Sequence, residues 1–242
     1  MTSITILQSA ADTSPDWVSR CMTSVADWSR RQGYNYHCAG DELFDWVTPE
    51  LRAKLTDRTP ILADLARLRW IESELAVRGG LVVWIDADTL VVDPTWSVPD
   101  AEHTFFGEEC WIQPTVEGAW RAYQSPHNAF MGFTAASPVL GFLAYLSESI
   151  IERAERAHIA PQMVGPKLLK ALNNLAQFTL VPEAGAVSPE LLAEWVGEAG
   201  PATACYEQTA RPPLALVNLC SSLTLSEEAV QRAEQYVSRH GA

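Results

Sequence analysis

Residues 81–85, Leu-Val-Val-Trp-Ile, form an unbroken apolar run that leads directly into Asp86-Ala87-Asp88. Strands of a parallel sheet are apolar throughout because helices cover both of their faces. The run follows the strongest helical pattern in the chain, from Pro60 to Gly79, which Gly79-Gly80 ends. These features predict an α/β fold in which this strand lies inside the sheet.

The first forty residues predict a β–α–β unit. Residues 3–9 alternate and are β-branched, Pro15 to Arg31 has helical spacing, and Tyr34 to Cys38 is typical of a second strand. Such a unit implies parallel pairing. A short apolar stretch covers residues 90–92. Later patterns predict strands at 129–134, 178–181 and 214–219, and helices at 138–157, 165–175, 188–195 and 226–239.

Residues 93–127 have no clean period and are predicted to be a loop region with short strands. No internal repeat or linker is evident. We therefore expect a single α/β domain over residues 1–242, with a mostly parallel central sheet flanked by helices.

Charge and cysteine usage exclude several classes of protein. Lys and Arg number 17 against 30 Asp and Glu, so the formal charge is −13, which disfavours nucleic acid and anionic membrane surfaces as partners. The five cysteines are widely spaced without a CxxC pair, which indicates free thiols. No signal peptide is evident, and no apolar run approaches the ~20 residues of a membrane span. We expect a cytoplasmic protein; the sequence carries no indication of an oligomeric state.

The two acidic residues after the apolar strand are the sharpest chemical feature. Open α/β sheets bind ligands at the carboxyl ends of their strands. In an extended segment, Asp86 and Asp88 would point to the same side and form a hard oxygen site for Mg²⁺ or Mn²⁺, ions that bridge nucleotide phosphates. The alternative is that Asp86 caps a turn and Asp88 is merely exposed.

Several motifs together resemble one enzyme family. The order is Leu62 to Arg67 with Asp-x-x-Arg, then Gly79-Gly80, then Val83 to Asp88. It resembles the GT-A glycosyltransferases with an Asp-x-Asp motif, and is most similar to bacterial capsular-polysaccharide sugar transferases and the glycosylating toxins. Downstream, Val164-Gly165-Pro166 resembles the group's Gly-Pro before a helix, and residues 216–222 resemble its late His-containing strand.

The resemblance implies roles for the acidic residues and their partners. Asp88 would bind Mn²⁺ or Mg²⁺ directly, and Asp86 would contact the donor ribose or sugar, and the cation through water. Asn218 stands where many relatives have a metal-binding histidine. Asp64 and Arg67 would hydrogen-bond the donor sugar; the alternative is an ordinary ion pair one helical turn apart.

The resemblance implies further contacts with the donor and the acceptor. Ser9 and Ala10 end the first strand, where relatives bind the base and ribose. Asn128 and Gln162 would face the donor sugar and acceptor, or else stabilise turns. Trp111 and Trp120 are candidates for stacking on sugars, and Glu108 and Glu109 for the general base of an inverting enzyme. The five histidines have no metal-ligand spacing and are expected to be core or solvated residues.

The function that these features predict is metal-dependent transfer of a sugar from a UDP- or GDP-sugar to a hydroxyl of a glycan or small-molecule acceptor. Asp86 and Asp88 would be the catalytic residues. One alternative is a protein that binds a nucleotide sugar or glycan without turnover. Another is a haloacid-dehalogenase-type phosphatase, although that family has Asp-x-Asp-Gly-Thr near the N-terminus, and here Thr89 directly follows Asp88.

Overall fold

The structure is a computed structural model and describes residues 3–100, 103–160, 162–209, 211–220 and 226–240. The strands are β1 (Ile4–Ser9), β2 (Asn35–Ala39), β3 (Leu81–Ile85), β4 (Thr89–Val91), β5 (Thr104–Pro114), β6 (Trp120–Thr134), β7 (Leu180–Val181), β8 (Ala184–Ala186) and β9 (Leu216–Asn218). The α-helices are α1 (Asp16–Gln32), α2 (Pro49–Lys54), α3 (Thr59–Arg78), α4 (Leu140–Arg153), α5 (Pro166–Ala176), α6 (Pro189–Val196), α7 (Pro201–Glu207) and α8 (Glu227–His240). Short 3-10 helices span Asp41–Trp46 and Arg156–His158.

The central sheet has six strands in the order β2-β1-β3-β6-β5-β7. β1 pairs in parallel with β2 and β3, and β7 pairs in parallel with β5. β6 is antiparallel to both of its neighbours, so it is the strand that runs against the other five. The predicted α/β class, with a mostly parallel sheet flanked by helices, is confirmed.

Burial on both faces explains the apolar run of β3. Val82 and Trp84 pack into the cluster formed with α3 and α4, whereas Val83 and Ile85 pack on the opposite face with Val25 of α1. All five residues of the strand are buried. A strand of this kind satisfies its backbone through neighbouring strands and needs no polar side chain on either face.

The turn from α3 into β3 depends on its two glycines. Gly79 and Gly80 have φ angles of 64° and 74°, in the left-handed region that residues with a Cβ rarely adopt. A Cβ on Gly80 would lie 2.3 Å from the Ser3 carbonyl oxygen. The Gly-Gly pair therefore lets the chain pass close to Ser3 and places the start of β3 beside the start of the parallel strand β1.

The prediction of a loop region over residues 93–127 is wrong for most of that segment. β5 and β6 form a long antiparallel hairpin. Cys110 and Ile112 are buried on one face, but the ladder shifts register between Phe106 and Gly107. This bulge interrupts the alternation that would have identified a strand. The helix α7 was also not predicted.

A second sheet, ordered β4-β9-β8, lies beside the first. β4 and β9 are antiparallel, with Thr89 opposite Asn218. This pairing brings the late strand next to the Asp86-Ala87-Asp88 segment, 130 residues earlier in the chain. Among the described helices, none combines the length and apolarity needed to cross a membrane.

Candidate functional site

An open cleft of about 320 Å³ lies at the carboxyl ends of β1 and β3. Five of the predicted site residues line it: Ser9, Ala10, Arg67, Asp86 and Asp88. The 3-10 helix and the first turns of α1 and α3 contribute the remaining walls. The position agrees with the general placement of ligands in open α/β sheets.

The Asp-x-Asp segment is a turn, so the expectation of an extended segment is wrong. The Thr89 N–H donates to the Asp86 carbonyl at 3.1 Å, and the Asp86 N–H donates to the Ala129 carbonyl at 2.8 Å. The buried Gln8 side chain also donates to the Asp86 carbonyl, at 3.2 Å. The turn forms because β3 ends here and the chain must enter β4, and both carboxylates still line the cleft.

The Asp86 carboxylate is held by two donors. One of its oxygens accepts hydrogen bonds from Arg67 at 2.8 Å and from the Trp84 indole at 2.6 Å. The Arg67 guanidinium also lies over the Trp84 ring, 5.1 Å from its centroid. Sequence reasoning treated Trp84 only as part of an apolar strand. The spacing of Trp84 and Asp86, two residues apart, could have predicted this contact, because a buried indole N–H needs an acceptor.

Arg67 joins the predicted Asp64–Arg67 pair to Asp86. It lies 3.1 Å from Asp64, one helical turn away, and donates to the Asn128 carbonyl at 3.2 Å. Asp64 is 7% exposed and Arg67 is 8% exposed. The alternative of an ordinary surface ion pair is therefore wrong, because this pair is buried and connected to the cleft.

Asp64 and Asn128 contact Arg67 on the side away from the open cleft. Asn128 donates its amide to Asp64 at 2.7 Å. Both line a small internal cavity of about 10 Å³, room for about one water, rather than the open cleft. A Cβ on Gly165 would lie 2.5 Å from an Asp64 carboxylate oxygen, so the Gly165-Pro166 motif lets α5 close over this pair. Asp64 and Asn128 therefore orient Arg67, and neither of them lines the open cleft.

Asp64 makes the stability of the protein depend on pH. Burial raises its pKa from 3.8 to about 6, against the opposing effect of the Arg67 charge. Between pH 4 and 6 the folded protein keeps a proton that the unfolded chain releases, so stability from this group is present at pH 4 and falls, by roughly 3 kcal/mol at most, as pH rises. We expect Asp64→Asn to remove this component. Urea unfolding at several pH values measures it, and equal pH slopes in the two proteins would contradict the assignment.

Asp88 is buried beside Asn218 of β9. The Asn218 amide group donates to the Asp88 carboxylate at 2.6 Å. Its oxygen accepts the Cys220 N–H at 3.1 Å, and because a backbone N–H can only donate, the amide oxygen must face Cys220. In this arrangement the Asn218 NH2 group orients Asp88, while its oxygen faces the Cys220 backbone. Residues 221 and 222 of the late motif lie outside the described residues.

The acidic pair proposed for a general base divides in two. Glu108 forms a buried ion pair with Arg211. Glu109 accepts a hydrogen bond from Ser125 at 3.2 Å. It also lines a second cleft, which lies between the β5–β6 hairpin and the start of α5. Glu109 therefore remains the accessible carboxylate of the two, whereas Glu108 stabilises the packing of the hairpin.

Gln162 and the two tryptophans of the hairpin, Trp111 and Trp120, do not lie in one place. Gln162 and Trp111 line the second cleft and not the first. Trp120 packs instead against the apolar cluster around Trp195. Gln162 is exposed and does not line the cleft that contains Asp86 and Asp88.

His127, expected to be a core or solvated residue, lines a small pocket with Thr89 and Asn218. Its Nδ1 accepts the Ala129 N–H at 3.1 Å. Burial lowers the pKa of the ring below 6.5, which favours its neutral form.

Metal-binding capacity rests on few protein groups. Within the described ranges, no group of three or more His, Cys, Asp and Glu side chains is arranged to hold a metal ion. Asp88 offers a carboxylate at the cleft, while one oxygen of Asp86 is occupied by Arg67 and Trp84. A cation here would need water and ligand oxygens to complete its coordination.

Comparison with known proteins identifies the fold. No protein-family model and no curated protein matches the chain. Among solved structures, it is similar to a glycosyltransferase involved in the glycosylation of the major capsid of PBCV-1, with 13% identity and a TM-score of 0.50 over 97% of this chain and 98% of that chain. Another similar structure is the PaToxG glycosyltransferase, with 12% identity and a TM-score of 0.44 over 99% and 87% of the two chains. The predicted similarity to glycosyltransferases is thus confirmed at the level of the fold.

Proposed function

We propose that this protein transfers a sugar from a nucleoside-diphosphate sugar to a hydroxyl group, using Mn²⁺ or Mg²⁺. The observation that carries the proposal is the Asp86–Asp88 turn, which faces one cleft together with Arg67 and the end of β1. Paired carboxylates, a buried arginine and a strand end meet there although they are far apart in the chain. The fold shared with a glycosyltransferase supports the same conclusion.

The cleft provides distinct contacts for the two parts of a donor. The end of β1, at Ser9 and Ala10, would take the base and ribose, since it forms the wall beside the Asp-x-Asp turn. Asp86 would accept hydrogen bonds from donor hydroxyls. Arg67 holds Asp86 in place and lines the same wall, where it would donate hydrogen bonds to the donor sugar.

The acidic residues fit a hard divalent cation whose coordination is shared with the donor. Asp88 would be its direct protein ligand, and Asn218 would hold the Asp88 carboxylate in orientation. Mg²⁺ and Mn²⁺ suit such sites because they take oxygen ligands and retain several waters or phosphate oxygens. Such a cation would neutralise the charge that develops on the leaving diphosphate.

A second candidate function is nucleotide-sugar binding without turnover. The observation that favours it is Asn218, which turns its NH2 group rather than its oxygen toward Asp88, so that its oxygen would add little to a cation site there. A weakly held cation would stabilise the leaving group less. The two functions make the same prediction for binding and opposite predictions for turnover.

Ligand-dependent melting separates these functions. With UDP or GDP at about 100 times its Kd in the presence of Mn²⁺, we expect stabilisation of about 2.7 kcal/mol, or a rise in Tm of about 5–10 °C. Controls contain Mn²⁺ alone and nucleotide with a chelator. Release of UDP or GDP from a panel of sugar donors then measures turnover.

Each outcome favours one function. Mn²⁺-dependent stabilisation with donor turnover supports the glycosyltransferase, and stabilisation without turnover of any donor supports the binding protein. Absence of stabilisation by every nucleotide would contradict both. Phosphate release from simple phosphomonoesters, without nucleotide binding, would support a phosphatase.

A further inference from the structure

A second open cleft, of about 450 Å³, lies between the β5–β6 hairpin and the start of α5. Alternation along β5 places Glu109, Trp111 and Gln113 on the side that lines this cleft. Cys110 and Ile112, between them, are buried in the core. The hairpin thus presents one polar and aromatic face to an open space large enough for an oligosaccharide.

Two aromatic side chains form the floor of this face. Trp111 and Tyr123 are opposite each other in the β5–β6 ladder, and both line the cleft. The Arg121 guanidinium lies over one side of the Tyr123 ring, 5.4 Å from its centroid. Aromatic rings at a partly exposed surface bind flat apolar groups, and the C–H faces of sugar rings are such groups.

The opposite wall is cationic. Lys167 and Lys170 of α5 line the cleft, are exposed, and lie three positions apart on one helix face. The chain has three lysines in all, the third being Lys54, and its formal charge is −13. Neither lysine side chain makes a hydrogen bond or ion pair with another residue that the structure describes. In a strongly acidic protein, two unpaired cations beside an open cleft indicate an anionic ligand.

The position of Lys167 opposes the stability of its own helix. α5 has no acidic residue in its first turn, which contains Lys167. The N-terminal end of a helix is partly positive, so a cation there is unfavourable. An anion bound in the cleft next to Lys167 would offset this charge.

The Glu109 end of the second cleft is connected to the Asp-x-Asp turn through β6. Ser125, which donates to Glu109, lies two residues before His127 on β6, a separation of roughly 7 Å along a strand. His127 lines the same small pocket as Thr89, which follows Asp88 in the chain, and Asn218, which donates to Asp88. The Glu109 end of the second cleft is therefore the end directed toward the Asp-x-Asp turn.

We propose that this second cleft binds the acceptor and that the acceptor is an anionic carbohydrate, bearing a carboxylate or a phosphate group. This assignment rests on the proposed glycosyl transfer. The sugar rings stack on Trp111 and Tyr123, and the anionic group contacts Lys167 and Lys170. The reacting hydroxyl lies at the Glu109 end.

In the proposed transfer, one bond at the anomeric carbon breaks as another forms. The anomeric carbon exchanges its bond to the diphosphate oxygen for a bond to the acceptor oxygen, and the diphosphate leaves with the bonding electron pair. The hydroxyl proton passes to a base, for which Glu109 is the carboxylate of this cleft.

Binding of matched charged and neutral sugars tests the assignment. The probes are galacturonic acid against galactose for the carboxylate, and mannose 6-phosphate against mannose for the phosphate, each measured with nucleotide present at low and moderate salt. We expect at least one anionic probe to bind about tenfold more tightly than its neutral counterpart, as charge-assisted contacts predict. Its affinity falls as salt increases.

Lysine variants identify the contact. We expect K167A/K170A to lose about tenfold in affinity for the anionic probe and to leave the neutral sugar unchanged. The control K54A removes the remaining lysine, which donates to the Glu152 carbonyl outside the cleft, and its affinity stays within about twofold of wild type. Mn²⁺-dependent UDP or GDP binding is measured in the same proteins.

The possible failures are distinguishable. Equal affinity for anionic and neutral probes, or equal losses in K167A/K170A and K54A, would overturn the proposal. A matching loss of nucleotide affinity in K167A/K170A would assign the lysines to the donor and also overturn it. Lysine-dependent binding of an anionic sugar by a protein that binds no nucleotide would leave a carbohydrate site and reject its role as an acceptor site, together with glycosyl transfer.

Discussion

Replacing Asp88 by asparagine is expected to abolish the effect of Mn²⁺ on nucleotide binding and to reduce donor turnover by about 10²–10³-fold. The variant keeps the shape of the side chain and an oxygen that accepts the Asn218 amide hydrogen. It removes the charge that would hold the cation. Calorimetric titration of UDP and GDP, with and without Mn²⁺, measures the change.

The fold is expected to tolerate this substitution. Asp88 is buried near Asp86, so removal of one negative charge leaves the melting temperature unchanged or raises it. Asp27→Asn is the matched control, because it removes one carboxylate from an exposed pair with Arg30 on α1. Unchanged Mn²⁺-dependent affinity in Asp88→Asn would reject Asp88 as the cation ligand.

Replacing Arg67 by alanine is expected to lower the free energy of unfolding by about 3–5 kcal/mol, since removing one partner of a buried ion pair leaves the other charges uncompensated. Arg67 contacts both Asp64 and Asp86. Arg69, on the same helix, pairs with Glu72 and Glu148 at a surface where the side chains are about 30% exposed. Arg69→Ala is therefore the matched control, with an expected cost of about 1 kcal/mol or less.

A conservative variant separates the role of Arg67 in folding from its role in turnover. Arg67→Lys keeps the charge but lacks the planar fork that reaches two carboxylates. We expect it to fold and to lose donor turnover by a factor equivalent to about 1.5–3 kcal/mol, with a smaller loss in binding of the bare nucleoside diphosphate. Equal losses for donor and diphosphate would assign Arg67 to the fold alone.

The sequence predicts those features whose causes are local. The apolar run of β3, the helical spacing of α3 and the glycines between them depend on neighbouring residues, and the structure agrees with each. The hairpin was not predicted, because the bulge at Phe106/Gly107 breaks the alternation on which a strand prediction depends. The burial of a strand on both faces can be predicted from its apolar composition, whereas a change of register in a β-ladder cannot.

The site was predicted in part for a similar reason. The resemblance identified Arg67, Asp86 and Asp88, and the structure places all three around one cleft. It could not show that Trp84 donates to Asp86, because that contact depends on how α3 packs against β3. The orientation of Asn218 depends on the backbone of Cys220, which periodicity and motif spacing do not specify.

The lysines of the second cleft show the same limit. Lys167 and Lys170 form a polar face of a helix in the sequence, a pattern common to most surface helices. Only the packing of α5 opposite Trp111 and Tyr123 places them beside an open cleft. Their role in the cleft therefore depends on tertiary packing, which the sequence pattern does not show.

The central claim is that a nucleoside diphosphate and a divalent cation bind together at the Asp86–Asp88 turn. Anomalous diffraction from crystals soaked with Mn²⁺ and UDP or GDP tests it most directly. We predict a manganese peak in contact with the Asp88 carboxylate and with the diphosphate, with the base and ribose against Ser9 and Ala10. A nucleotide bound elsewhere, or manganese bound away from Asp88, would contradict the account.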